Sequence, residues 1–161
     1  MLTVAVFSDT HGSNALMLEA VRRERPDVLI HLGDFSRDAE ILRREFPEIP
    51  LYSVCGNCDA APSAPLTLTV ELGPVKAFLT HGHRYSVDWR LDSLVYAAQE
   101  AGAKLALFGH THEALNTDWG GVQLINPGTA GKGRTLTMAW LTIFDNGGVA
   151  AEIRPLCRLQ G

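Results

Sequence analysis

The sequence FSDTHG, residues 7–12, decides the fold of this chain. Apolar residues 4–7 lead into it and an amphipathic pattern over residues 15–23 follows it, which predicts a strand, a tight loop and a helix. The loop places Asp9 and His11 at the carboxyl end of the strand, where open α/β sheets bind ligands. Side chains two apart in an extended segment point the same way, so we expect these two to bind one ion together. An aspartate here also suits a helix N-cap, and this stretch alone leaves both interpretations open.

Strands and helices alternate over the first third of the chain. Apolar runs at residues 28–32 and 51–55 predict two further strands, and residues 13–25 and 37–46 predict helices, each followed by a proline. This alternation predicts parallel strands with right-handed crossovers, the arrangement of an α/β protein.

The pattern then changes to one that is rich in hairpins. A Pro/Ala-rich loop at residues 60–65 introduces it, and one further helix is predicted at residues 91–101. The remaining strands are predicted at residues 66–72, 75–80, 104–108, 114–117, 122–125, 136–144 and 149–154. Neither a linker nor a low-complexity segment interrupts the sequence, so we expect a single domain over residues 1–161.

Composition excludes several classes of protein. The 161 residues are 46% apolar and 20% charged with a net charge of −4, which is typical of a globular domain. Lysines and arginines form no stripe, so no nucleic-acid partner is indicated. We find no apolar run long enough to span a membrane and no signal peptide. The three cysteines are too few for a disulfide framework and indicate a reducing compartment, so we expect a cytoplasmic protein.

Five predicted strands are each followed by side chains that could bind a metal. These side chains are Asp9 and His11, Asp34, Asn57, His81, and His110 with His112. In a sheet of such strands the carboxyl ends converge on one edge. Two carboxylates, four imidazoles and an amide oxygen exceed the needs of one tetrahedral ion and suit two ions of the Mn, Fe or Zn type. Each residue alone could be a cap, a turn residue or a core histidine, and only their joint placement favours a metal centre.

Five short motifs at these strand ends carry a resemblance to a known family. They are SDTHG at 8–12, GD at 33–34, GNCD at 56–59, HGH at 81–83 and GHTH at 109–112. In this order and spacing they resemble the motifs of the calcineurin-like metallophosphoesterase superfamily. The short chain, its Asn-Cys-Asp motif and the Asn-Pro-Gly at 126–128 resemble the YfcE-like phosphodiesterase branch most closely. The resemblance spans residues 4 to about 154 and implies an α/β fold that is a four-layer α/β/β/α sandwich.

The resemblance also implies a role for each ligand. One metal would be held by Asp9, His11 and His112, the other by Asn57, His81 and His110, with Asp34 bridging both. The cofactors would be two divalent transition-metal ions, with manganese expected and nickel, iron or zinc as alternatives. The reaction would be hydrolysis of a phosphodiester, in a small molecule or nucleotide, by a metal-bridging hydroxide, with Asp34 and Asn57 as catalytic residues.

The third motif departs from the wider superfamily at Cys58, where many members have a histidine thought to assist the leaving group or the phosphate. The YfcE-like branch commonly has cysteine there, so the family resemblance stands while the general acid stays open. A thiol with a usual pKa of about 8.5 is a poor acid beside an imidazole. We take His83 as the candidate catalytic replacement, although it could instead only support His81. Asp59 could orient a ligand or Cys58, or it could close a local turn.

Three alternative functions stay open or are disfavoured at this point. A phosphomonoesterase or nucleotide hydrolase could use the same centre, and a non-catalytic protein-binding scaffold could share the fold, as the retromer subunit that resembles it does. The C-x-x-C of Cys55 and Cys58 could indicate a redox motif or half a zinc knuckle. A redox motif requires a helix directly after it, which the prolines in residues 61–65 prevent. A zinc knuckle requires a second C-x-x-C, which the sequence lacks. The exposed edge of the last hairpin could support a homo-oligomer.

Overall fold

The computed structural model describes residues 1–59 and 64–157, so residues 60–63 of the predicted Pro/Ala-rich loop lie outside the described residues. These described residues contain three α-helices: α1 Ala15–Glu24, α2 Ser36–Glu45 and α3 Asp92–Glu100. The strands are β1 Leu2–Phe7, β2 Val28–His31, β3 Leu51–Ser53, β4 Thr67–Leu72, β5 Val75–Thr80, β6 Leu105–Leu107, β7 Leu115–Trp119, β8 Val122–Asn126, β9 Thr137–Ile143 and β10 Val149–Pro155. Each predicted element is found, with ends that move by no more than about two residues.

Two five-stranded mixed sheets contain all of these strands. The first has the order β10-β9-β1-β2-β3, in which β1, β2 and β3 run parallel and β9 and β10 are antiparallel neighbours. The second has the order β4-β5-β6-β8-β7, in which β5, β6 and β8 run parallel between two antiparallel edge strands. The predicted ligands follow five of these six parallel strands, all except β8.

The first strand shows how the layers are built. Val4 and Val6 of β1 pack in a cluster with residues of the second sheet, while Ala5 and Phe7 pack in another with residues of α1 and α2. Successive side chains of a strand point to opposite faces, so an unbroken apolar run is needed where both faces are covered. A third cluster joins the second sheet to α3. The layers are therefore helix, sheet, sheet and helix, and the predicted four-layer α/β/β/α sandwich is confirmed.

The expectation of one sheet edge for all the ligands is wrong. The ligands after β1, β2 and β3 belong to the first sheet, and those after β5 and β6 belong to the second. The change of sheet occurs because β4 turns back at Gly73 and pairs with β5 along its whole length, so it adds nothing to β3. The apolar cluster between the sheets holds their carboxyl edges face to face.

Within the described ranges, none of the helices has the length and apolar character needed to cross a lipid bilayer.

Two ligand loops of the first sheet approach each other closely at Gly33. Its φ is +99°, and a Cβ built on it would lie 2.6 Å from the backbone nitrogen of Gly56. Real Cβ atoms do not approach a backbone atom so closely, so only glycine fits at this place. The absence of a side chain lets the loop that carries Asp34 lie against the loop that carries Asn57.

We expect Gly33→Ala to lower the free energy of unfolding by at least about 2 kcal/mol, because it combines a positive φ with a backbone clash. Gly147→Ala is the matched control, since Gly147 has a φ of +89° and its Cβ would meet nothing within 4 Å. The control should lose only about 1 kcal/mol, the cost of the left-handed backbone alone. Urea unfolding of both variants measures the difference, and equal losses would contradict the role of the close contact.

Candidate metal centre

Asp9 follows β1 and is wholly buried. Its Oδ2 accepts hydrogen bonds from the hydroxyl of Ser8 at 2.6 Å and from the backbone N–H of His110 at 3.1 Å. Its Oδ1 has no hydrogen-bond partner among the described residues and lies 3.2 Å from Nε2 of His112 and 3.9 Å from Nε2 of His11. One oxygen is therefore held by the protein while the other faces a group of imidazoles.

Asp34 follows β2 and divides its two oxygens in the same way. Its Oδ1 accepts the backbone N–H of Cys58 at 2.9 Å, and its Oδ2 lies 3.3 Å from Nε2 of His81 and 3.5 Å from Nε2 of His11. Burial acts to raise the pKa of Asp34, but the adjacent imidazole of His81 and the hydrogen bond from the Cys58 N–H hold this pKa well below its usual range. The carboxylate is therefore ionised at neutral pH.

His81 follows β5 and is wholly buried. Its Nδ1 lies 2.8 Å from the carbonyl oxygen of Leu32, which accepts the Nδ1–H and directs Nε2 toward the carboxylates. Burial acts to lower the pKa of His81, but the adjacent carboxylate of Asp34 and the charge of Asp9 raise it overall. Within the described chain, Nε2 of His81 and Nε2 of His11 are buried atoms without a hydrogen-bond partner.

Two groups of potential ligands emerge from these contacts, and in each group all the ligand atoms lie within 4.8 Å of one another. The first group is Asp9, His11, Asp34 and His112, and the second is Asp34, His81 and His110. Ligands of one ion at about 2.0–2.2 Å lie roughly 3–3.5 Å apart, which matches the shortest separations seen here. Buried donor atoms that face one another without hydrogen bonds suit a cation, so these residues fit divalent metal ions.

Asn57 adjoins the second group. Its Oδ1 lies 3.2 Å from Nδ1 of His110. The structure therefore brings together all seven side chains that the sequence placed at strand ends, from both sheets.

The backbone reason that we gave for Asp9 and His11 is wrong. These residues are not extended, because their φ angles are +56° and +48° and the strand ends at Phe7. Asp34, His110 and His112 also have positive φ, at +54°, +72° and +64°. Each such non-glycine residue costs on the order of 1–3 kcal/mol, and strain of this kind clusters at functional sites. Left-handed turns, and not extended segments, aim these ligands.

His83 lies beside the second group, in a single 3-10 turn over residues 83–85. Its ring centre is 5.5 Å from that of His81 and 6.3 Å from that of His110. Burial, and then the positive charges of His81 and His110, lower the pKa of His83. Its Nδ1 is buried and has no hydrogen-bond partner in residues 1–59 and 64–157, so this nitrogen is free to form a hydrogen bond with a bound substrate.

Cys58 and Asp59 act through different atoms than expected. The Cys58 side chain is largely exposed. Partial desolvation of its sulfur, and then the charge of the nearby Asp34 carboxylate, raise the pKa of the thiol. Its backbone N–H holds Asp34. Asp59 accepts the N–H groups of Phe35 and Ser36 at 3.1 and 2.7 Å through Oδ1, and that of Gly56 at 2.7 Å through Oδ2. Asp59 therefore closes a local turn with Gly56, as one of its two interpretations has it, and also fastens the third motif to the start of α2.

Sequence reasoning assigned no site role to His31, Asn126 or Asp88. Asn126 ends β8, and its amide donates to the Gly109 carbonyl oxygen at 3.1 Å and to the Thr111 hydroxyl at 3.0 Å, which braces the last ligand loop. The strand-end rule could have found Asn126, because it ends an apolar run like the ligands. Asp88 contacts His110 at 2.7 Å from a polar loop that gave no signal.

His31 is buried between the first two ligand loops. The N–H of Gly33 donates to its Nδ1 at 3.2 Å, so its Nε2–H donates to the hydroxyl of Thr10 at 3.0 Å. This pattern requires the neutral ring. Burial lowers the pKa of His31 to about 4, although the charges of Asp38 and Asp9 oppose the shift.

Comparison with known proteins gives consistent matches. Residues 2–146 match the family model described as the calcineurin-like phosphoesterase superfamily domain. Over 131 residues the chain is 35% identical to a protein of Bacillus subtilis named probable metallophosphoesterase YsnB, which covers 80% of this chain and 75% of that protein. Over 144 residues it is 26% identical to a protein of Methanocaldococcus jannaschii named a phosphodiesterase, which covers 79% and 83%.

Solved structures show the same fold. The crystal structure of a conserved protein from Streptococcus pneumoniae, described as a predicted phosphoesterase, gives a TM-score of 0.76 at 25% identity and covers 96% of this chain and 97% of that one. Vps29 from Entamoeba histolytica, crystallised with zinc, gives 0.77 at 20% identity over 97% and 100%. At the lower identity the likeness concerns the fold alone.

We expect His31 to make stability fall in acid. In the unfolded chain His31 becomes protonated below its ordinary pKa of about 6.5, whereas in the folded chain it stays neutral down to about pH 4. The free energy of unfolding therefore decreases as the pH falls through this range. The loss attributable to His31 should reach roughly 3 kcal/mol. Urea unfolding with a chelator present, from pH 7.5 to 4.5, should give a steeper decline for the wild type than for His31→Gln. Parallel curves would contradict this assignment.

Proposed function

The chain belongs to the calcineurin-like phosphoesterase superfamily and is a metal-dependent phosphoesterase, and we propose that it hydrolyses phosphodiesters at a centre of two divalent transition-metal ions. One observation carries the two-ion proposal: Asp34 is a member of both ligand groups. A carboxylate common to two adjacent groups suits a bridge between two ions.

In this proposal the side chains divide into two sets around Asp34. Asp9, His11 and His112 hold one ion, and the other is held by Asn57, His81 and His110. Two bound cations would acidify a water molecule in line with the P–O bond and neutralise phosphate oxygens. Imidazole and oxygen ligands without a thiolate suit manganese, with nickel, iron or zinc as alternatives.

The protein groups supply orientation and a proton. The Leu32 carbonyl oxygen fixes the ring of His81, and the N–H of Cys58 fixes the carboxylate of Asp34, so the ligands are aimed before an ion binds. His83, beside the second group, donates a proton to the leaving oxygen in this proposal. The raised pKa of the Cys58 thiol supports giving this role to His83 instead of Cys58.

The substrate proposed is a small phosphodiester or a nucleotide. The named phosphodiesterase among the relatives supports the diester, while a monoester stays an alternative that the same centre could hydrolyse. Ligands come from both halves of the sequence, so we propose that residues 1–161 act as one domain. All three cysteines are free within the described residues, which supports a reducing compartment such as the cytoplasm.

The alternative of a non-catalytic scaffold has one observation in its favour, the similarity of the fold to Vps29. An enzyme needs the candidate metal ligands for catalysis, whereas a scaffold does not use them. A scaffold does not require buried carboxylates and imidazoles that face one another, because such groups cost stability unless they are paired. The intact set of seven ligands therefore favours the enzyme.

We expect the metal-stripped protein to be inactive and added Mn²⁺ to restore hydrolysis of bis-p-nitrophenyl phosphate above the rate for p-nitrophenyl phosphate. Asp34→Asn should lower kcat/KM for the diester more than about 100-fold, because it removes the shared charge. Asp118→Asn, an exposed aspartate on β7, is the matched control and should retain activity. A folded wild type that neither binds nor uses Mn²⁺, Fe²⁺, Zn²⁺ or Ni²⁺ would favour the scaffold.

We expect His83→Gln to slow hydrolysis in a way that depends on the leaving group. With diphenyl phosphate, whose phenolate needs a proton, kcat should fall about 100-fold, as for loss of a general acid. With bis-p-nitrophenyl phosphate, whose nitrophenolate leaves unaided, the fall should be less than about 3-fold. Steady-state kinetics at saturating Mn²⁺ measure both values. The same loss with both substrates would show that His83 only supports its neighbours.

A further inference from the structure

His110 is held at both ends of its ring. Its Nε2 lies 2.7 Å from Oδ2 of Asp88, and its Nδ1 lies 3.2 Å from Oδ1 of Asn57. Asp88 lies outside every motif that the family resemblance covers, in the loop between β5 and α3. From this contact we propose that Asp88 is a positioning residue that directs Nδ1 of His110 to the second metal ion.

The position of one proton on the His110 ring determines where its lone pair points. The Asp88 carboxylate can only accept a hydrogen bond, so Nε2 of His110 must carry the hydrogen. In the neutral ring Nδ1 then presents a lone pair, and that lone pair faces the amide oxygen of Asn57, which is also an acceptor. Two acceptors directed at one place suit a cation between them. A carboxylate behind a metal-binding histidine also fixes the tautomer and the orientation of its ring.

Backbone hydrogen bonds and packing fix the conformation of the loop that carries Asp88. The carbonyl oxygen of Ser86 accepts the N–H groups of Trp89 and Arg90 at 3.0 and 3.2 Å, which closes a turn around Asp88. The preceding Val87 is buried against Gly82, where φ is +109° and a Cβ would lie 2.8 Å from Cγ2 of Val87. The segment directly after His81 therefore anchors the loop, and one stretch of chain sets the orientation of two ligands of the same ion.

The charge of Asp88 is directed to His110. Within residues 1–59 and 64–157 the structure pairs Asp88 with no lysine or arginine, and the nearby Arg90 instead pairs with Asp92 at 3.4 Å. The Asp88 side chain is 48% exposed and that of His110 is 21% exposed. An exposed carboxylate that binds one histidine suits a role in ligand orientation, because a surface pair of this kind adds little to stability.

The test measures metal affinity, not only turnover. Calorimetric titration of the metal-stripped protein with Mn²⁺ should show two sites in the wild type and about 10- to 100-fold weaker binding at one of them in Asp88→Asn. Asp118→Asn makes the same charge change at an exposed place on β7 and should leave both affinities unchanged. Excess Mn²⁺ should restore the diesterase activity of Asp88→Asn, which a folding defect would not permit.

A double-mutant cycle identifies the route of the effect. In a His110→Asn background, Asp88→Asn should cause no further loss of Mn²⁺ affinity, because the residue through which it acts is gone. Unchanged affinities in the single variant Asp88→Asn, or an equal loss in both backgrounds, would overturn the proposal. The inference rests on the two-metal function proposed above, yet the two fail differently. A wild type that binds no second ion refutes the function, whereas a two-metal wild type with an unaffected Asp88→Asn refutes only the role of Asp88.

Discussion

Two negative charges buried between the sheets govern the rest of the structure. Asp9 and Asp34 are almost fully excluded from solvent, and a carboxylate in such a place is costly unless hydrogen bonds and opposite charges surround it. In each carboxylate, protein hydrogen bonds compensate this cost at only one of the two oxygens. Backbone and hydroxyl donors hold one oxygen of each carboxylate, and the other oxygen is left to imidazoles whose nitrogens lack hydrogen-bond partners in the described residues. The pattern is that of a protein shaped to receive cations.

Placing these groups requires a backbone that the strands alone do not supply. Five of the candidate ligands, those after β1, β2 and β6, adopt positive φ, so left-handed turns after these strands aim their side chains. Such turns persist only when neighbouring contacts fix them. The close approach at Gly33, the clasp of Asp59 on α2 and the buried His31 are such contacts, and they join the loops to one another. The ligand loops therefore depend on one another for their shape.

The sequence predicted the elements and the seven candidate ligands, because apolar strands that end in ligand-type residues are a local signal, whereas the four layers were implied by the family resemblance. It did not reveal that the ligands come from two sheets, since the turn of β4 onto β5 is a matter of pairing partners and not of periodicity. It also gave the wrong backbone reason for Asp9 and His11, because extended geometry was assumed past the end of β1. Asp88 and His31 escaped notice because their roles depend on contacts between residues distant in the sequence.

The pairing of β1 with β9 has a consequence for how the protein is made. The strand that precedes Asp9 lies between β2 and β9, and β9 begins only at Thr137. While the chain is being synthesised, one side of β1 must stay without its partner, and His110 and His112 have yet to emerge. A growing chain therefore offers ions only a partial ligand set until the segment that carries His110 and His112 has left the ribosome. Metal capture is in this way coupled to completion of the fold.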